Sequence, residues 1–165
     1  MSNLQTQPTQ KENLKANERK WTKPLMEAGW SAIPSILIEK QEALGLDPVD
    51  MNIILHLTQY WWLKENLPHP SVGTIAAAIG RKERTVQRRI KALEELGFIR
   101  RIERRKSHNG SDTNLYDFDG LIKVLTPYAF EKIEEKKAAQ AAKAARMKRK
   151  KPISLAVDNT TDQSG

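Results

Sequence analysis

The chain has 165 residues, with 28 Lys and Arg against 20 Asp and Glu, a formal net charge of +8 and no cysteine. That length buries one core of useful size, which leaves little room for an enzyme with separate cofactor and substrate domains, and the missing thiols exclude disulfide frameworks and thiolate metal sites. No run approaches the roughly 18 apolar residues of a membrane span and the N-terminus lacks an apolar signal stretch, so a soluble cytoplasmic protein with no membrane partner is expected.

The charge is concentrated. Lys136 to Lys151 holds eight basic residues and no acid, and Arg81 to Lys106 holds eleven basic and four acidic ones, so the remainder is acidic. Two basic segments on an acidic body suit a polyanion met at two places, because each cation near a phosphate releases counterions. For the tail alone, a solvated charged helix face is the competing reading.

Residues 1–20 are polar and aperiodic and read as a disordered arm. Trp21 and Trp30 flank a Pro- and Gly-punctuated stretch, and residues 31–34 are short enough for one edge strand. Ser35 is the expected cap of a helix using Ile36, Leu37, Ala43 and Leu44 and stopped by Gly45. Asp47 then caps a long helix with Pro48 at its first position, and Met51, Ile54, Leu55, Leu57, Tyr60, Trp61 and Leu63 give it a broad apolar face. Ser71 caps a short helix that runs to Ile79 and stops at Gly80, and another helix spans Glu83 to Leu96 before Gly97. Beyond Gly97 the period changes. An antiparallel ribbon is expected at about 98–105 and 113–118, turned by Asn109-Gly110, whose residues tolerate the positive φ of a type I′ turn. A helix begins at Asp119, with Pro127 either kinking it or starting a new one capped by Thr126. The alanine-rich stretch beyond Lys136 favours helix but has no wide apolar stripe, which leaves a solvated helix, a fraying tail or a small dimer seam.

The densest pattern lies in Pro70-Ser71, Ile75-Ala76, Gly80, Arg84-Thr85-Val86, Ile90 and Leu93-Glu94-Glu95-Leu96-Gly97, followed by Phe98-Ile99. Over these roughly 30 residues and the hairpin, the chain resembles the winged helix-turn-helix DNA-binding domains of bacterial, plasmid and prophage regulators and replication-associated proteins. It departs from them at Arg81-Lys82, where a serine or threonine cap is common. The resemblance implies a mainly α fold with a small β-hairpin, a winged helix-turn-helix with a C-terminal helical extension. The expected division is a disordered arm at 1–20, the winged domain at 21–118, a C-terminal helix with its basic tail at 119–151 and a disordered end at 152–165.

At 100° per residue, Val86, Ile90 and Leu93 fall within about 60° and must face a core, while Arg84, Arg88, Lys91 and Glu95 lie opposite with Gln87 flanking. Arginine can bond guanine twice and glutamine adenine twice, so this face suits base reading. The recognition-helix set is Lys82, Arg84, Thr85, Gln87, Arg88 and Lys91, with Ser71, Thr74 and Arg81 at the helix start and turn. Lys82 at a helix N-terminus is unfavourable unless an anion such as a phosphate meets it. The wing set is Arg104, Arg105, Lys106, His108 and Asn109, against the alternative of a solubilising charged edge.

The scattered histidines and adjacent glutamates form neither a metal site nor an acid–base pair, and no phosphate loop is present. No enzyme activity, cofactor or metal is expected. Tyr60-Trp61-Trp62 reads as packing, with a small effector or a base as the lesser reading. The expected function is sequence-specific binding of double-stranded DNA by a nucleoid-associated, repressor-like homodimer, joined through Leu121, Val124, Leu125, Tyr128 and Ile133. The alternative is a plasmid or phage replication factor that binds origin repeats and recruits a protein partner through its C-terminal helix; an RNA- or partner-binding adaptor ranks third.

Overall fold

A computed structural model describes residues 10–106 and 110–149, with backbone alone given for Gln10, Arg105, Lys106, Gly110 and Ser111. Its elements run α1 (Gln10–Trp21), α2 (Lys23–Glu27), α3 (Ser35–Glu39), α4 (Pro48–Thr58), α5 (Val72–Ile79), α6 (Glu83–Glu95), β1 (Arg100–Ile102), β2 (Arg105–Lys106), β3 (Gly110–Ser111), β4 (Leu115–Asp117) and α7 (Asp119–Lys148). The chain divides into two units, the first ending at Thr126 and the second beginning at Pro127.

In the first unit, α4 starts where its caps dictate. The Asp47 carboxylate accepts from the amides of Val49 at 2.8 Å and Asp50 at 2.9 Å, and Asp50 Oδ2 accepts from the Asp47 amide at 3.0 Å. This reciprocal box satisfies amides that the helix leaves orphaned, and Pro48 brings no N–H to satisfy. α4 buries Met51, Ile53, Ile54 and Leu57, α5 buries Ile75 and Ala76, and α6 buries Val86, Ile90 and Leu93. Each large aliphatic side chain so buried contributes about 1.5–3 kcal/mol, which stabilises helices too short to persist alone. Gly80 adopts a left-handed conformation at φ 63°, and the Arg81 amide then reaches Ala76 O at 2.9 Å. The helix therefore stops there, and three residues lead into α6.

Phe98 and Ile99 are buried, and β1 pairs antiparallel with β4, Arg100 opposite Asp117, Arg101 opposite Tyr116 and Ile102 opposite Leu115. β2 and β3 form a second pair, with Arg105 opposite Ser111 and Lys106 opposite Gly110. The Tyr116 amide donates to Pro68 O at 2.9 Å, which ties the ribbon to the loop before α5. The result is a mainly α fold with a small hairpin: a helix-turn-helix, a wing and a C-terminal helix.

Several expectations are corrected. The arm expected to be disordered over residues 1–20 includes α1, whose side chains from Lys11 to Trp21 are all exposed, so helix propensity rather than burial accounts for it. Residues 31–34 form no strand. α3 is capped at Pro34, not Ser35, and ends at Glu39; Leu37 and Leu44 are buried but Ala43 is exposed. α4 stops at Thr58, whose hydroxyl donates to Leu55 O at 3.0 Å, and Trp61, Trp62 and Leu63 lie beyond its end. Leu55, Tyr60 and Leu63 are exposed, while Ile53, absent from the expected face, is fully buried. α7 holds Pro127 within one helix, and the Thr126 hydroxyl donates back to Ile122 O at 2.7 Å instead of capping a new one.

In the second unit the helix continues from Pro127 to Lys148, and every side chain from Ile133 to Arg149 is exposed. The expectations for residues 150–165 lie outside the described residues. Among the described residues no helix is long and apolar enough to cross a membrane.

Candidate nucleic-acid interface

α6 is held from three directions. Its apolar stripe, Val86, Ile90 and Leu93, is at most 1% exposed. At the edge of that stripe the Arg89 guanidinium reaches back to the start of α4, where it contacts the Asp47 carboxylate and lies 3.4 Å from Asp50 Oδ1. Burial pushes the Asp50 carboxyl above its ordinary value, and Arg89 is the cation that faces it. At the other end, Glu94 accepts from the Arg101 amide at 3.0 Å and from Arg101 Nε at 2.6 Å, which couples α6 to β1. Burial alone would raise the Glu94 carboxyl, but the Arg101 hydrogen bonds and charge outweigh it and hold the carboxyl below its ordinary value. Neither Arg89 nor the Glu94–Arg101 pair was foreseen as a positioning contact. Arg89 sits about 60° from Val86 on the helix, at the rim between core and solvent, and that was the available signal.

The opposite face is exposed. Arg81, Lys82, Arg84, Gln87 and Arg88 are exposed and Thr85 is half-buried. Arg81, Lys82, Arg84 and Arg88 make no ion pair among the described residues. Lys91 lies on the same face, 3.7 Å from Glu95 one turn on, and both side chains are largely exposed. Lys82 occupies the N-cap position of α6 without a side-chain cap. Lys82 therefore offers no side-chain oxygen to the first amides of α6, and the Thr85 amide donates to Lys82 O at 2.9 Å instead.

Ser71 and Thr74 are locally engaged. The Thr74 amide donates to Ser71 Oγ at 3.0 Å, and the two hydroxyls lie 2.8 Å apart. The Glu83 carboxylate reaches the same turn: a β-carbon at Gly73 would stand 3.0 Å from Glu83 Oε1 and 3.7 Å from Ser71 Oγ. The turn expected to meet a phosphate thus already has a carboxylate beside it, which favours the positive end of α5.

Arg104, expected at the wing contact, is engaged within the ribbon. Arg104 Nε donates to Thr113 O at 2.8 Å and Arg104 Nη2 to Thr113 Oγ1 at 2.7 Å, and Asp112 lies 3.5 Å away. Arg104 thus ties the segment between β1 and β2 to the segment between β3 and β4. Arg100 pairs with Asp117 at 2.5 Å. The Asp119 amide, then Arg100, hold the Asp117 carboxyl below its ordinary value against the effect of burial. Arg105 and Lys106 lie on β2, but their side chains, with His108 and Asn109, fall outside the described residues.

Trp61 stacks on Phe118 with ring centroids 5.3 Å apart, whereas Trp62 meets Trp30 edge-on at 6.2 Å and stays exposed. The packing reading fits Trp61. Among the described residues no group of three His, Cys, Asp or Glu is placed to hold a metal ion.

The comparisons with known proteins bear on this same segment. Residues 44–99, which contain α4, α5, α6 and the entry to the ribbon, match the family model of a helix-turn-helix domain. A solved structure, a possible transcriptional regulator from Methanosarcina mazei Go1, is 17% identical over 66% of this chain and 84% of that one, with a TM-score of 0.39. No curated protein matches the chain.

Proposed function

We propose that the protein binds double-stranded DNA in a sequence-specific way, with α6 in the major groove, and that it regulates transcription by occupying an operator. The observation that carries this reading is the division of α6. One side is locked by core packing, Arg89 and Glu94, and the other presents Arg84 and Arg88 without an ion pair among the described residues. A rigid helix with two arginines about 6 Å apart along its axis matches the demands of bidentate guanine contacts. The helix-turn-helix match over residues 44–99 supports the same reading. Lys82, Thr85, Gln87 and Lys91 complete the groove face, Arg81 lies at the turn, and Ser71 and Thr74 approach the backbone. Arg105, Lys106, His108 and Asn109 supply the wing contact, and Arg104 supports it from within the ribbon. Two copies joined through the C-terminal helix place two such faces on a pseudo-palindromic site. Selection of bound sequences from random duplexes, followed by footprinting on the selected site, tests the proposal. A defined motif overlapping a promoter is the expected result, and uniform recovery of random sequence overturns it.

A further inference from the structure

Lys136, Lys143 and Arg146 recur at spacings of seven and three along α7. At 100° per residue these fall within about 80° of arc and span about 15 Å of helix. Lys136, Lys143 and Arg146 are exposed and make no ion pair among the described residues, whereas Lys137, off this stripe, pairs with Glu134 at 2.9 Å. No acid occurs between Lys136 and Arg149. Lys143 and Arg146 are like charges three residues apart, an arrangement that weakens a free helix. The helix macrodipole favours cations only in the last turn, which leaves Lys136 and Lys143 unaccounted for.

We infer, resting on duplex DNA as the partner proposed above, that this stripe is a second and sequence-independent contact with the phosphate backbone. These three cations lie on one line, as a rod of phosphates requires, and about 15 Å matches about four base pairs of duplex. An anionic bilayer fits less well. From Lys136 to Lys148 the side facing away from the stripe is Lys137, Ala138, Ala141, Ala144, Ala145 and Lys148, and Met147 is the one large apolar side chain. A membrane-surface helix needs bulky apolar residues to insert.

The full chain carrying K136Q, K143Q and R146Q is compared with the full chain carrying K137Q, K148Q and R149Q, which removes the same charge off the stripe. Glutamine keeps the helix propensity, and circular dichroism checks that the helix persists. Affinity for a random-sequence duplex is read against salt, where each lost phosphate contact lowers the slope of log affinity against log salt by about 0.9. The stripe variant is expected to lose about two to three units of slope and the control less than one. Equal losses in both, or none in either, overturn the inference. So does a stripe variant that loses binding to phosphatidylserine vesicles while its duplex slope is unchanged. Discrimination between selected and random duplexes, measured on the same proteins, reports on α6 alone. A stripe-specific loss of slope without wild-type discrimination therefore sinks the base-reading proposal and leaves the stripe standing.

Discussion

A β-carbon placed on Gly120 would overlap the carbonyl oxygen of Gly97. The start of α7 passes the end of α6 backbone against backbone, and the Leu121 amide donates to Phe98 O at 2.9 Å. In an open helix, Gly→Ala stabilises by up to about 1 kcal/mol. Here the obstacle is main chain and cannot rotate away, so Gly120→Ala should instead cost about 1–3 kcal/mol, the range for overpacking. At Gly73 the obstacle is the flexible Glu83 carboxylate, and Gly73→Ala should be near neutral. Urea denaturation of the two variants checks the contrast, and equal effects would remove the steric explanation.

Arg84→Ala and Arg88→Ala should each weaken binding to the selected site by about 1–3 kcal/mol and relax preference at one base position. Arg104→Ala should act differently. It removes the bonds to Thr113, so it should lower thermal stability of the ribbon while leaving base preference intact. Binding titrations on single-base variants of the site separate the outcomes, and a preference change in Arg104→Ala would place that residue at the bases.

Glu83 brings a carboxylate to the turn that holds Ser71 and Thr74. If a phosphate approaches this turn, Glu83→Gln should tighten binding to every duplex, selected or random, by about twofold to fivefold, the scale of one exposed charge pair. Loss of affinity in Glu83→Gln would show that the carboxylate positions α6 and does not oppose the phosphate.

The Glu94 and Asp117 carboxyls titrate lower in the folded chain than in the unfolded one. Their contribution is complete above the unfolded value, about 4 for carboxylates, and is lost as pH falls through the folded values. Asp50, shifted upward, works in the opposite sense, its contribution falling as pH rises. Glu94→Gln should therefore be less stable than wild type by about 0.2–1 kcal/mol at neutral pH, a figure discounted for its partial exposure. The gap should narrow as pH falls below the ordinary carboxylate range. Denaturation at several pH values checks this, and a gap that does not change with pH refutes it.

Leu121 and Leu125, expected at a dimer seam, are buried within the first unit, so they cannot serve one. Phe130 and Ile133 in the second unit are 65% and 45% exposed. If the protein dimerises through its C-terminal helix, Phe130→Ser with Ile133→Ser should yield a folded monomer with roughly tenfold weaker binding to a palindromic site, since one half-site is lost. A wild-type mass of one chain at micromolar concentration, with full affinity for a half-site, overturns the dimer.

Much of the core was legible because local chemistry and periodicity agreed. Asp47-Pro48, Ser71, Gly80 and Gly97 mark helix ends whatever surrounds them, and the spacing of Val86, Ile90 and Leu93 permits one buried face. The exposed side of α6 followed as the complement of that face. Tertiary structure decided which cations remain available. Arg89, Arg100, Arg101 and Arg104 carry the same side chain as Arg84 and Arg88, yet each finds a carboxylate or carbonyl brought by another segment: Asp47 and Asp50, Asp117, Glu94, Thr113. Such partners lie 7 to 42 positions away in the chain, and no local propensity encodes a meeting that depends on how helices and strands pack. The same reason hid Gly120, whose small size matters only because the Gly97 carbonyl is folded against it.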